Sequence, residues 1–370
     1  MKNLIVLDIG TQFIKALIME IDKKSGKGIV RAWAKEEFSN DKAAVCQKIF
    51  KNLEKKSGTK TQEIFLGLGS DVLKGRAATF CFKRDNPAQK VDLAELKYLI
   101  QKVLWRALDR IRKEIVRETE FKDTDARLLD AFIVDIEVDG HSVSDPISSQ
   151  GQNICLSIFN IYTSEKWLDG IRSFVSALGF KLLGLIPVSY ALFHCLNLEK
   201  SVKGSALIID VGAKTTEVTL VKNGGEEIET KNFHLGGQAF SRVLAEFLGL
   251  NLAEAEIIKI KYSRGEISKE VKKKIEKLFA PNVSSWLKGI KIILEDFIKE
   301  YKFLPAKVFL CGGGCGLPVI ESALKKEKKF KISYIEKTPI SSLAELYADS
   351  LKEKDIFQLI FKRAIKLIQG

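Results

Sequence analysis

One strand–turn–strand unit is written twice in this chain. Residues 4–21 (LIVLDIGTQFIKALIMEI) and 207–221 (LIIDVGAKTTEVTLV) share an apolar run, a carboxylate near its end, a glycine turn, threonine and a second apolar run. A single Asp-x-Gly is common in turns. Two copies roughly 200 residues apart, on the same hydrophobic pattern, read as an internal duplication. A chain built this way folds as two α/β units that present equivalent hairpins. A third element supports this: strand 307–311 (KVFLC) runs into Gly312-Gly313-Gly314 just ahead of a predicted helix over 318–327.

The residue types in these turns point to a polyanion. Glycine at Gly10 and Gly212 permits positive φ and lets backbone N–H groups approach an anion. Thr11, Thr215 and Thr216 add hydroxyls, and Lys15 lies a few residues down the second strand. Two such hairpins face to face can hold a triphosphate. Asp8 and Asp210 would then face the phosphates, where they serve only through a cation, and Mg²⁺ held mostly through water is the natural one. Glycines 312–314 would let the backbone lie flat against adenine or ribose.

DIGTQFIKALI, LIIDVGAKTTEVTLV and VFLCGGGCGLPVI resemble the two phosphate motifs and the adenosine motif of the actin-like ATPase superfamily. Within it the chain most resembles the FtsA family of bacterial cell-division proteins. The stretches IVDIEVDGHSVSDPISSQGQNICLSIFNIYT and LGGQAFSRVLAEFLGLNLAEAEIIKIKYSRG carry that likeness. The resemblance implies ATP and Mg²⁺ as ligands, with Asp8 and Asp210 organising the metal. Thr11, Lys15, Gly212, Thr215 and Thr216 would meet phosphates, and Gly10, Gln12, Ala213 and Lys214 complete the two turns. Gly236 and Gly237 would lie near the nucleotide, Glu256 and Lys259 would reach ribose and base, and Gly312, Gly313 and Gly314 would flank adenosine. The second phosphate motif departs from the usual Asp-x-Gly-Gly-Gly-Thr-Thr-Asp at Ala213, Lys214 and Glu217; Lys214 either pairs with a γ-phosphate or points into solvent. No carboxylate or Gln stands at the start of the predicted helix 188–198 to orient water, so at most slow ATP turnover is expected.

The expected fold is α/β: a two-lobed actin-like (RNase H-like) ATPase fold, each lobe with a mixed five-stranded sheet and an α+β subdomain inserted in the first lobe. Residues 1–71 and 164–203 form the first lobe and 72–163 the insert. Residues 204–240 are the phosphate-binding part of the second lobe, 241–300 its helical subdomain and 301–330 its adenosine part. Residues 331–354 return to the first lobe, and 355–370 are a C-terminal amphipathic segment. Pro187 is placed in the first turn of helix 188–198.

Composition bounds the partners. With 370 residues, 46% apolar and 29% charged, the chain is globular rather than disordered. Its longest apolar runs fall well short of the roughly 20 residues that cross a bilayer, and the N-terminus lacks a signal-peptide pattern. Six scattered cysteines with no CxxC pair read as reduced thiols of the cytoplasm, and three distant histidines argue against a His-built metal site. The net charge of +13 suits an acidic partner or a solvated lysine surface. Residues 259–279 hold eight Lys/Arg against three acids; the FtsA resemblance makes this a docking site for an FtsZ C-terminal peptide, whereas the residues alone read as a solvated face. No nucleic-acid reading motif is present.

The tail DIFQLIFKRAIKLIQG, at about 100° per residue, gathers Ile356, Phe357, Ile360, Phe361, Leu367 and Ile368 on one side and Lys362 and Lys366 on the other. It reads as an anchor to an anionic membrane surface or as a last helix packed on the fold. The function expected is a cytoplasmic, self-associating, ATP-binding scaffold, peripheral on the inner face of the membrane, that tethers the FtsZ ring. The alternative is a cytoplasmic component of type IV pilus assembly resembling the PilM family, which binds a peptide of a pilus membrane protein. A small-molecule kinase is a third reading and needs a carboxylate base that the motifs do not supply.

Overall fold

The computed structural model describes residues 2–22, 27–38, 41–118, 126–143, 145–196, 204–327, 330–335 and 338–352. The amphipathic tail 355–370 lies outside them. Strands β1 (Lys2–Ile9) and β2 (Phe13–Ile21) form the first hairpin, and β3 (Gly28–Glu37) continues it. Helix α1 (Lys42–Ser57) starts at Asp41, whose carboxylate accepts from the Ala44 N–H at 2.9 Å, a side-chain cap that satisfies one orphan donor. Next come β4 (Glu63–Leu68), β5 (Lys74–Lys83), α2 (Leu93–Glu118), β6 (Ala126–Val138), β7 (His141–Ser142) and β8 (Asn153–Ser164). Then follow α3 (Glu165–Ala177), β9 (Lys181–Pro187) and α4 (Val188–Cys195). Pro187 is the N-cap residue of α4, in extended conformation, rather than part of its first turn.

The second half opens with β10 (Ala206–Val211), β11 (Thr216–Lys222) and β12 (Glu227–Phe233). The span expected to be helical throughout divides into α5 (Gly237–Leu248), α6 (Leu252–Ser263) and α7 (Lys269–Tyr301). Local signals set the breaks: Gly249 ends α5 at φ 65, Asn251 and Glu254 form a reciprocal capping box on α6, and Ser268 caps α7. The chain closes with β13 (Lys307–Cys311), α8 (Pro318–Lys326), β14 (Lys331–Tyr334) and α9 (Pro339–Lys352).

The duplication holds strand for strand. The first sheet has the order β3-β2-β1-β4-β9, with β1 antiparallel to β2 and parallel to β4. The second repeats it as β12-β11-β10-β13-β14. Register matches too: Asp8 lies opposite Lys15 and beside Gly67, and Asp210 opposite Glu217 and beside Cys311. Strand β1 is buried from Leu4 to Leu7, as a central strand covered on both faces must be. Because β14 pairs with β13, the second sheet extends to Tyr334, and the return to the first lobe is made by α9, which packs on β1, β2 and α4.

Two expectations are corrected. The second sheet does not stop at five strands. The insert's strands extend it to nine, in the order β14-β13-β10-β11-β12-β5-β8-β6-β7, through the pairs Ile228–Ala77 and Glu229–Arg76. The insert leaves the first lobe in sequence but closes the β12 edge of the second, removing an open strand edge. The cysteines are not all reduced: Cys81 and Cys155, directly opposite in β5 and β8, form a disulfide, while Cys46, Cys195, Cys311 and Cys315 remain thiols. A separation of 74 residues concealed that pair from spacing arguments.

A buried polar network fastens the β5–β12 junction. The Arg76 guanidinium contacts Glu229 at 3.3 Å, donates to the Tyr301 hydroxyl at 3.0 Å and pairs with Glu300; the Tyr301 hydroxyl donates to Glu229. The Arg76 and Glu229 side chains are each 7% exposed. Removing one partner of a buried pair strands the other charge, a loss of about 3–5 kcal/mol. Arg76→Ala is therefore expected to destabilise the protein by about that much in urea unfolding, whereas Arg76→Met combined with Glu229→Gln costs clearly less.

Candidate functional site

The two hairpins meet. In each, the turn closes through the same bond: Gly10 N–H to Phe13 O at 3.0 Å and Gly212 N–H to Thr215 O at 2.9 Å. Across the gap the backbone N–H of Lys214 donates to the Thr11 hydroxyl at 3.2 Å. Gly10, Thr11, Gly212, Ala213, Lys214 and Thr215 thus stand together, as the repeated motif requires.

Behind the second hairpin sits the N-terminus of α5. The Gly237 N–H donates to Gly212 O at 2.9 Å and the Gln238 N–H to Ala213 O at 2.8 Å. A side chain at Gly236 would place its Cβ 2.5 Å from Gly212 O, so only glycine allows this approach. The triple glycine joins from the other side: the Gly314 N–H donates to Val211 O at 2.8 Å. Gly312 has φ 87, and a Cβ there would lie 2.1 Å from the Asp210 carboxylate. Gly313 faces open space.

Charge is concentrated beneath the turns. Lys15 Nζ lies 3.0 Å from the Asp8 carboxylate. Asp210 is pushed up to about 6, by burial first, with Lys15 opposing and the charge of Asp8 adding. The two carboxylates therefore share one neighbourhood with Lys15 between them. Lys35, directly opposite Lys15 on β3, adds a second cation. Its ammonium lies 3.6 Å from the centre of the Phe13 ring, and its pKa is lowered by burial and by Lys15 while Glu256 across the cleft opposes the shift. Like charges directly opposite on paired strands repel, and a polyanion between them relieves that repulsion. Sequence reading passed over Lys35; the available signal was its register with Lys15 in the β2–β3 meander.

Several expected contacts are redirected. Thr216 is fully buried; its hydroxyl donates to Leu235 O at 2.7 Å and accepts from the Trp286 indole at 2.9 Å. It therefore fastens β11 to α7 and is withdrawn from the phosphate set. The Gln12 side chain turns to Glu37 at 3.5 Å. The Lys214 side chain is exposed at the rim of the paired turns. Lys259 is buried, donating to Gly237 O at 3.0 Å and to Glu256 at 2.8 Å, and Glu256 also accepts from Ser241. This pair braces the α5 terminus, leaving Glu256 as the member that faces Lys35.

Glu217, noted in sequence only as a departure, is the most constrained carboxyl of the site. One oxygen accepts from the Ser70 N–H at 2.6 Å and the Ser70 hydroxyl at 2.9 Å, and Asn232 donates to Ser70 and to Asp71 at 2.8 and 2.6 Å. Burial, then the charge of Asp210, raises it to about 7 against the pull of the Ser70 bonds.

The fit to a magnesium nucleotide is good on this geometry: paired turns with glycine-lined approaches, two adjoining carboxylates and two lysines. Among the described residues no group of three or more His, Cys, Asp and Glu side chains could hold a metal alone. A cation here would complete its shell with phosphate and water.

Comparison with known proteins follows this geometry. A family model described as type IV pilus assembly protein PilM matches residues 190–354. No curated protein matches the sequence significantly. Among solved structures the chain is similar to a chain of the PilM-PilN type IV pilus biogenesis complex, with 17% identity, 98% of each chain covered and a TM-score of 0.63. It is also similar to ethanolamine utilization protein EutJ from Carboxydothermus hydrogenoformans, with 15% identity, 95% of this chain and 90% of that one covered and a TM-score of 0.51. The architecture is thus the two-lobed actin-like ATPase fold. The finer likeness to the FtsA family receives no support from these matches.

The Glu217 carboxyl is expected to make stability pH-dependent. Its pKa rises on folding from 4.5 to about 7, so within that window the folded chain holds a proton that the unfolded chain has lost. Stability therefore falls as pH rises from 4.5 through 7. Glu217→Gln should remove a slope worth on the order of 3 kcal/mol, leaving the smaller one of the same sign from Asp210; thermal unfolding across that range checks it.

Proposed function

We propose that this chain is an ATP-binding, actin-fold component of type IV pilus assembly, held at the inner face of the membrane through a short segment of a membrane-protein partner. One observation carries the reading. The segment matched by the PilM family model, 190–354, contains the second hairpin, Gly236–Gly237, Glu256, Lys259 and Gly312–Gly314, which converge at the α5 terminus facing Thr11. The overall likeness to a chain of the PilM-PilN complex supports a membrane-protein peptide as the partner, in preference to the FtsZ tail. No helix among the described residues is long and apolar enough to cross a membrane, which agrees with attachment through a partner.

In this reading Asp8 and Asp210 would hold a Mg²⁺ ion largely through water, and the ion would supply charge to balance the phosphates. The backbone N–H groups of Thr11, Gln12, Ala213 and Thr215, with the Thr11 and Thr215 hydroxyls, would orient the phosphates, while those of Gly10 and Gly212 close the turns. Lys15 and Lys35 supply positive charge, and Gly312–Gly314 give room for the nucleoside. The water-orienting role has no obvious holder: Glu217 is engaged by Ser70, and the start of α4 offers buried Val188, Ser189 and Tyr190. The protein then acts as a nucleotide-bound scaffold with slow turnover at most.

Calorimetric titration with Mg·ATP should show saturable binding that weakens at least about tenfold in Asp8→Asn and in Asp210→Asn. Capture with the full chain from solubilised membranes should enrich a pilus membrane protein, and its cytoplasmic peptide should bind the purified chain. Absence of nucleotide binding, or binding of an FtsZ tail peptide in place of the pilus peptide, overturns the proposal.

A further inference from the structure

Helix α2 of the insert carries its own message. Its inner face, Leu96, Leu99, Ile100, Val103, Leu104 and Leu108, is buried on β6 and β8. Its outer face is not an ordinary solvated face. At about 100° per residue, Tyr98, Lys102, Trp105 and Asp109 follow one another along the crest, with Arg106 and Lys113 on its flank. Tyr98 and Trp105 are each 54% exposed, although large aromatics usually bury most of their area. They stand two turns apart, roughly 10 Å along the axis, with Lys102 between them and its ammonium 4.5 Å from the centre of the Tyr98 ring.

Both acids on this side of the helix are paired: Asp109 with Lys113 at 2.7 Å, and Glu95, on the same flank, with Arg84 at 2.6 Å. The face is therefore cationic and aromatic together. We propose that the outer face of α2 is a second attachment point, a contact surface for an anionic lipid bilayer. Charge complementarity and shape choose this occupant. Arg and Lys near a surface of anionic headgroups each add about 1 kcal/mol. Trp and Tyr, apolar with one polar tip, settle at the headgroup boundary. An exposed helix crest is a ridge, and a bilayer surface accommodates a ridge. The inference stands on the insert alone and is independent of nucleotide binding.

Flotation of the full chain with vesicles tests it, using phosphatidylcholine alone and phosphatidylcholine with phosphatidylglycerol. Wild type should float with the anionic vesicles only, and less so as salt rises. Tyr98→Ser with Trp105→Ser, and separately Lys102→Glu with Lys113→Glu, should each lower the affinity about tenfold or more; all four positions are exposed, so folding is preserved. Phe357→Glu with Phe361→Glu, in the otherwise intact chain, controls for the C-terminal segment and should leave the crest contribution in place. Failure of wild type to float, crest variants that float as wild type does, or loss of flotation through the C-terminal variant alone overturns the proposal. So does capture of a polyglutamate peptide without vesicle binding, which would make the crest a docking face for an acidic protein.

Discussion

The meeting of two hairpins, each with a carboxylate at the end of its first strand, is the constraint on which the rest of this molecule turns. Asp8 comes within reach of Asp210, and Asp210 of Glu217, because two antiparallel hairpins of like register are aimed at one point. Lys15 pairs with Asp8, while burial first, and a neighbouring carboxylate after it, raise the pKa values of Asp210 and Glu217. Water is the ordinary remedy for such crowding. Here the glycines at 236 and 312 draw backbone into the space, and the proposed divalent cation with a polyphosphate would balance the charge that remains.

The sheet extension gives the clamp leverage. The insert is tied covalently to β4 of the first lobe and by hydrogen bonds to β12 of the second. Ser70, at the point where the chain leaves β4, binds Glu217 on β11. Further out, Arg76 binds the insert to Glu229 and to Tyr301 at the end of α7. A polar contact at the site and a buried ion network at the junction thus lie on one continuous sheet.

Much of the fold was legible because it was written in periods. The apolar runs at 4–7 and 206–209, the three-and-four spacing of α2 and the glycine punctuation each follow from local rules. The likeness to FtsA gained no support from the comparisons, and its two supporting stretches encode generic pieces, the β6–β8 module and the α5–α6 hairpin with its cap. Those pieces identify a superfamily of folds rather than a cellular task. Thr216 misled for another reason: a threonine next to a glycine turn looks like a phosphate ligand until strand alternation puts it on the inner face, under Trp286.

The sequence by itself determined the duplicated hairpins, the carboxylate at each strand end and the glycine turns, because these depend on neighbours within a few residues along the chain. Only the tertiary structure decided that β5 would join β12, that Cys81 would meet Cys155, that Lys35 would stand beside Lys15 in the cleft and that Glu217 would bind Ser70. Each of these is a long-range pairing set by sheet register, and register is fixed when whole faces pack, not by any residue alone.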